Sequence, residues 1–294
     1  MPRRLFAILV CWLGLLAHPA WAVERGALFK VTGHKHTMYL FGTIHVGLPE
    51  FYPLDTSVTT ALAGATTLAL EIDPTAQTQE ASAMVARAGR TTPDVVAAMP
   101  PALGPRLTHR LEAMGAPATL ATQLKPWMLM MAMTVIEYAK LGYRTDLAVD
   151  AHLAKLAHDQ KIKVIGLETI ESQIDVFNGL SAADQWTMLD ETVASMDSGE
   201  AAQDVQALTN GWARADAPTL DALARKFEND ERLSTRILQR RMLTERNGPM
   251  ADKLDGLLKR ENKSMAAVGL MHLIGNDSLP VLLQAKGLKV ERVY

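Results

Sequence analysis

The chain has 294 residues, a formal net charge of −2 and 48% apolar residues. A near-neutral balance with no lysine- or arginine-rich tail excludes the electrostatic footprint of a nucleic-acid binder. The single cysteine, Cys11, excludes a disulfide framework and a thiolate metal site.

Residues 1–22, "MPRRLFAILVCWLGLLAHPAWA", read as a secretory signal. Arg3 and Arg4 open it, an apolar run from Leu5 to Ala17 follows, and Ala20-Trp21-Ala22 is a small-x-small cleavage site. The run is too short to span a bilayer, the alternative being an uncleaved anchor. Val10 before Cys11 is not small, which argues against a lipoprotein acceptor. Cleavage after Ala22 leaves residues 23–294, a cysteine-free chain long enough to bury a core without disulfides. We expect one domain, periplasmic or secreted, with no stable membrane span after cleavage.

Two β-like regions bracket a helical middle. "ALFKVTGHKHTMYLFGTIH" predicts two strands around a turn at Gly33. "TTLALEID" predicts a third strand stopped by Pro74, and "KIKVIGLET" a fourth between helical segments. "SMAAVGLMH" and "LKVERVY" predict the fifth and sixth. Between Ala81 and Glu261 the periodicity is mostly helical. "QLKPWMLMMAMTVIEYAKLG" has Pro126 at its start and Gly142 at its end, and "LSAADQWTMLDETVASM" starts on Ser181 as N-cap with Asp184 three residues on. The expected fold is α/β (α+β): a central mixed sheet from both ends of the chain, with a large helical insertion.

The chemistry is suggested by a phrase written twice. "FGTIH" ends at His45 and "VGLMH" at His272, each an apolar strand, a Gly, two residues and a His. The spacing alone is unspecific, since "GHKH" (Gly33 to His36) repeats it in a polar turn. The context separates the pair, because a strand followed by Gly delivers a side chain to the strand's carboxyl end, where open α/β sheets bind ligands. Each His reads either as a satisfied core histidine or as a metal ligand. Glu71 ends the apolar strand "TTLALE" and wants a positive partner there: an arginine, a rim position, or a cation. Together His45, Glu71 and His272 would make a three-ligand site with an open position, suited to Zn²⁺, Mn²⁺, Co²⁺ or Fe²⁺.

Glu168 ends "KVIGLE" in the same way. It reads as a general base, a second-metal ligand, or a charge at the start of the next helix. Arg246, in "LTERN", reads as a group for substrate carboxylate or developing oxyanion, or as a surface charge. Asp150, in "LAVDAHLAKLA", is most simply a helix N-cap. His34, His109 and His158 look solvated. No HExxH, GxSxG, P-loop or GxGxxG is present.

The series "YLFGTIHVG", "LALEID", "VIGLET", "GWARADAPTL", "LTERN", "AAVGLMHLIGNDSL" and "LLQAKGLKVERV" resembles the TraB/PrgY/GumN family, which includes the Tiki metalloproteases. The likeness covers nearly the whole chain after the signal and keeps the order of segments. It implies that the two GxxH motifs and the acidic residue fall on His45, His272 and Glu71. It also implies a divalent-metal hydrolase site, with peptide cleavage known for animal members, and distant kinship with erythromycin esterase and ChaN-like haem-binding groups. The reading reached is a periplasmic metal-dependent hydrolase, most simply a peptidase, with Mn²⁺, Co²⁺ or Zn²⁺ as cofactor and a peptide or other small envelope substrate. Glu168 would be the base and Arg246 the stabiliser of negative charge. The alternatives are a haem- or metal-binding protein without turnover, and an accessory factor for envelope polysaccharide or peptide signalling.

Overall fold

A computed structural model describes residues 23–76 and 78–294. The expected signal segment, residues 1–22, lies outside the described residues. All six expected strands are present: β1 (Leu28–Gly33), β2 (His36–Thr43), β3 (Thr67–Leu70), β4 (Lys163–Gly166), β5 (Lys263–Gly269) and β6 (Lys289–Arg292). They form one sheet in the order β4-β3-β5-β2-β1-β6. The four strands β4, β3, β5 and β2 run parallel, while β1 is antiparallel to both β2 and β6. The sheet is therefore mixed and built from both ends of the chain, as expected.

The sheet's topology positions the site. β5 comes late in the sequence yet lies between β2 and β3. Its register sets Thr43 of β2 opposite Gly269 and Leu70 of β3 opposite Ala267. The carboxyl ends of all four parallel strands thus reach one edge. Burial on both faces drives this arrangement: consecutive apolar residues, Leu40 and Phe41 of β2 and Met265 and Ala266 of β5, are fully buried.

The hairpin between β1 and β2 departs from expectation in one respect. Gly33 is not in the turn; it is the last paired residue of β1, opposite His36. The two turn residues are His34 and Lys35, with φ of 52° and 67°, the doubly positive pattern of a tight hairpin turn. Gly33 is needed for packing instead, because a Cβ there would lie 2.3 Å from Leu288 Cδ2.

The helical middle is real and packs largely on itself. The helices Leu103–Ala113, Pro126–Lys140 and Ala182–Ser198 surround a second apolar cluster with Trp127, Met133 and Trp186 at its centre. The Trp186 indole N–H donates to the Val95 carbonyl at 2.6 Å. Ser181 caps its helix by accepting from the Asp184 N–H, as the sequence predicts. The helix Glu200–Ala213 spans both clusters: Ala201 packs on the second, and Trp212 is buried in the first. There the Trp212 indole N–H donates to the Gly42 carbonyl at 2.8 Å, just before the strand end that leads to His45. Among the described residues no helix is long and apolar enough to cross a membrane.

Lys35 at φ 67° carries the steric cost of a left-handed conformation, about 1 kcal/mol for a residue with a Cβ. Lys35→Gly should stabilise the fold by roughly 0.5–1 kcal/mol, read as a rise in the urea midpoint with an unchanged m-value.

Candidate functional site

Each parallel strand delivers one group to the shared edge. His45 follows β2 by two residues, Glu71 directly follows β3, Glu168 follows β4, and Gly269 ends β5 with His272 three residues on. All five sequence-predicted residues meet here or directly beneath. Glu71 is the hub. Its Oε1 accepts the Gly269 N–H at 2.7 Å, and the same oxygen lies 4.0 Å from His45 Nε2 and 3.8 Å from His272 Nε2. A Cβ at Gly269 would sit 3.0 Å from Glu71 Oε1 and 3.5 Å from His45 Nε2, so any side chain there would press on the carboxylate.

The ring tautomers follow from the partners. His45 Nδ1 lies 3.2 Å from Asp150 Oδ2; a carboxylate can only accept, so Nδ1–H donates. Asn247 Nδ2 donates to the Asp277 carbonyl at 2.7 Å, which turns its Oδ1 toward His272 Nδ1 at 2.5 Å. His272 therefore also donates through Nδ1. Both Nε2 atoms are left facing the Glu71 carboxylate. Such Nδ1 support, from a carboxylate or an amide oxygen, is how proteins hold imidazole ligands in place.

Arg246 lies beneath and is buried, not a surface charge, at 9% exposed. Nη2 donates to Glu71 Oε2 and to Glu168 Oε2, Nε donates to Glu168 Oε1 at 2.9 Å, and Nη1 donates to the Met242 carbonyl at 2.8 Å. Gln173 adds an N–H to Glu168 Oε2 at 3.1 Å. The arginine partner weighed for Glu71 therefore exists, alongside the two imidazoles. Arg246 and Asn247 begin the helix Glu245–Arg260 just after a π-helical stretch, Leu238–Thr244. Pro249 sits inside that helix and cannot donate to its ladder. Wide turns of this kind recur where a helix must re-aim side chains.

Electrostatics separate the two histidines. Burial pushes His272 down to about 4, against the pull of Glu71, so it is neutral near pH 7. His45 is raised above its usual value: its side chain is 62% accessible, so desolvation opposes this only weakly, and the Asp150 hydrogen bond and charge, with Glu71, favour the protonated ring. Burial acts to raise Glu71, yet His272, His45, Arg246 and the Gly269 N–H bring it down to about 2. The shared answer is an anionic carboxylate facing one neutral imidazole and one that is protonated when nothing else binds it.

The fit to a divalent ion can be tested on these distances. Ligands of a tetrahedral zinc lie about 3.4 Å apart, so separations of 3.8 and 4.0 Å are slightly open. Among the described residues no three His, Cys, Asp or Glu side chains already close on a common point. The donor chemistry nevertheless fits: His272 Nε2 and Glu71 Oε1 are both acceptors, and they face each other with no donor between them. A contraction of roughly half an ångström would bring them to ligand spacing.

Asp150 corrects an expectation. It does not cap its helix; the N-cap of Val149–Asp159 is Ala148, without a side-chain bond. Instead the Asp150 carboxylate orients His45. An aspartate at a helix start looks the same locally in either role, so no signal in the sequence distinguishes them. Asn247 and Gln173 were equally silent. His36, by contrast, lies at the far end of β2, with Nδ1 2.7 Å from the Leu258 carbonyl. A cleft of about 230 Å³ opens beside the site, lined by Thr43, His45, Glu71, Pro74, Asp150 and Gln173 among others.

The model of the TraB/PrgY/gumN family matches residues 27–292, and the chain belongs to that family. Curated relatives include the "Uncharacterized protein YbaP" of Shigella flexneri and that of Escherichia coli K12. Each is 27% identical over 276 residues, covering 90% of this chain and 96% of the relative. No solved structure gives a significant match.

Arg246→Met would leave Glu168 and the Oε2 of Glu71 without their guanidinium partner, a loss of about 3–5 kcal/mol at pH 7. The wild-type stability contributed by the lowered Glu71 pKa is complete above about 4.5 and fades as the pH falls toward 2. The gap between wild type and variant should therefore narrow on acidification, as urea unfolding at pH 7 and pH 3.5 would show.

Proposed function

We propose that this protein is a periplasmic divalent-metal-dependent hydrolase acting on a peptide or another small envelope substrate. The observation that carries the reading is the convergence of two imidazole Nε2 atoms on one oxygen of Glu71, each ring held from behind through Nδ1. Family membership supports it through the likeness to metalloprotease members. The signal-like residues 1–22 support the location.

A divalent ion held by His45, Glu71 and His272 would supply Lewis acidity toward a scissile carbonyl and lower the pKa of water to near neutrality. The chain's own groups do the rest. Asp150 and Asn247 fix the two rings, and the bare Cα of Gly269 leaves room between them. Arg246 anchors Glu71 by its second oxygen, keeping the first oxygen turned toward the imidazoles. Glu168 and Arg246 act as a pair. Both Glu168 oxygens accept from the guanidinium, so proton uptake at Glu168 weakens that pairing. Arg246, still held by Glu71 and the Met242 carbonyl, is then less fully neutralised and its charge can stabilise developing negative charge nearby, the task of a preorganised donor.

Elemental analysis of the purified protein beside a His45→Ala/His272→Ala double variant tests this. About one divalent ion per chain is expected in the wild type and none in the still-folded variant, with metal-dependent peptide hydrolysis following the ion. Asn247→Ala, which removes the support behind His272, should weaken metal affinity by about 10- to 100-fold. Failure of the wild type to take up Mn²⁺, Co²⁺ or Zn²⁺ would overturn the reading.

A further inference from the structure

Two side-chain oxygens beside this site have no hydrogen-bond partner. Thr43, the last residue of β2, is 1% exposed, and its Oγ1 bonds to nothing. Asp150 accepts from His45 through Oδ2, but its Oδ1 is buried and receives no donor. Both residues line the same cleft, with Ile72 and Pro74 as an apolar wall. A bond from the Val149 N–H to the Ile44 carbonyl, 3.1 Å, holds the two chain segments side by side.

A buried acceptor without a donor is costly, and one on a carboxylate more so. No neighbouring donor is available to relieve it. None of the described residues lining the cleft is Lys or Arg. Arg246 is committed to Glu71, Glu168 and the Met242 carbonyl. The hydroxyl of Tyr52, whose pKa is raised by desolvation and then by the Asp150 charge, donates elsewhere, to the Leu147 carbonyl at 2.6 Å. The chain itself supplies no donor to these two oxygens, and a ligand in the cleft can. An amide N–H has one hydrogen and no charge, and would satisfy a single acceptor. A primary ammonium has three donors on a compact cation, enough to reach both oxygens.

We propose that Asp150 Oδ1 and Thr43 Oγ1 bind a primary ammonium group of the substrate, so that the cleft selects ligands with a free amino group beside His45 and His272. Calling that ligand a substrate rests on the hydrolase reading; the binding of the ammonium does not.

Three probes decide it by calorimetric titration of the full chain at pH 7: leucinamide, N-acetyl-leucinamide, and Nα-acetyl-lysinamide. The first two differ only in the ammonium, and the third moves it to a side chain. At least one ammonium carrier should bind about 10- to 100-fold more tightly than N-acetyl-leucinamide. Whichever of the two wins tells an amino terminus from a lysine side chain. Thr43→Val, nearly isosteric and not touching His45, should weaken the preference several-fold, and Asp150→Asn should abolish it, with circular dichroism reporting the fold. Equal binding of charged and acetylated forms overturns the proposal. So does no binding of any probe, or a preference unchanged in both variants. Ammonium selectivity in a protein that takes up no metal would sink the hydrolase reading while leaving this subsite standing.

Discussion

One buried guanidinium holds the functional edge of this molecule together. Arg246 lies between Glu71 and Glu168, which end two neighbouring parallel strands. Either carboxylate alone would be an expensive thing to place at the end of an apolar strand. With the cation between them, Glu71 stays ionised, and each carboxylate is fixed in direction by more than one hydrogen bond. Glu71 is the tighter case, because the oxygen that Arg246 does not hold, Oε1, is tied to the backbone N–H of Gly269 in β5. The carboxylate can therefore neither rotate away nor protonate easily, which keeps an anion aimed at the two imidazoles. Buried ion pairs are weak evidence for stability as such; here the pair's effect is to set orientation.

The histidines are held by different means that reach the same end. His272 is buried and neutral, backed by an asparagine whose own orientation is set by the Asp277 carbonyl. His45 is the exposed partner, with its side chain 62% accessible, and is backed by a carboxylate. One ring is thus a permanent part of the interior and the other forms the wall of the cleft. A ligand arriving from solvent meets the exposed His45 first, with Asp150, Thr43, Glu71 and His272 deeper.

Much of this was legible in the sequence, for physical reasons that can be named. The strands carry alternating apolar residues and end in Gly or acid, so their existence and the residues at their ends could be read directly. A glutamate at the end of "LALE" demands a cation wherever it folds. What could not be read is which cation: Arg246 is 175 positions away and reaches the site only through a helix whose winding changes just before it. The supporting groups were hidden for a related reason. Asp150 satisfies the local rules of a helix start, and Asn247 those of a polar helix residue, so their long-range roles leave no local trace. Gly33 shows the converse. A glycine near a turn was assigned to it, while two residues with side chains occupy the strained positions and the glycine answers a crowding contact from Leu288.

The placement of β5 has a consequence for how the chain reaches its native state. The strand that completes the sheet is made after nearly 270 residues, yet it belongs in the middle, between β2 and β3. Until it arrives, one edge of the β1–β2 hairpin and one edge of the β3–β4 pair lie bare, each with unpaired N–H and C=O groups. Those edges are templates for pairing with other chains. The contacts that bury them join residues 197 positions apart for β3 and 226 for β2 (264 − 67 and 263 − 37), and pairings of that span form slowly. A nascent chain would spend its most aggregation-prone interval waiting for its own centre.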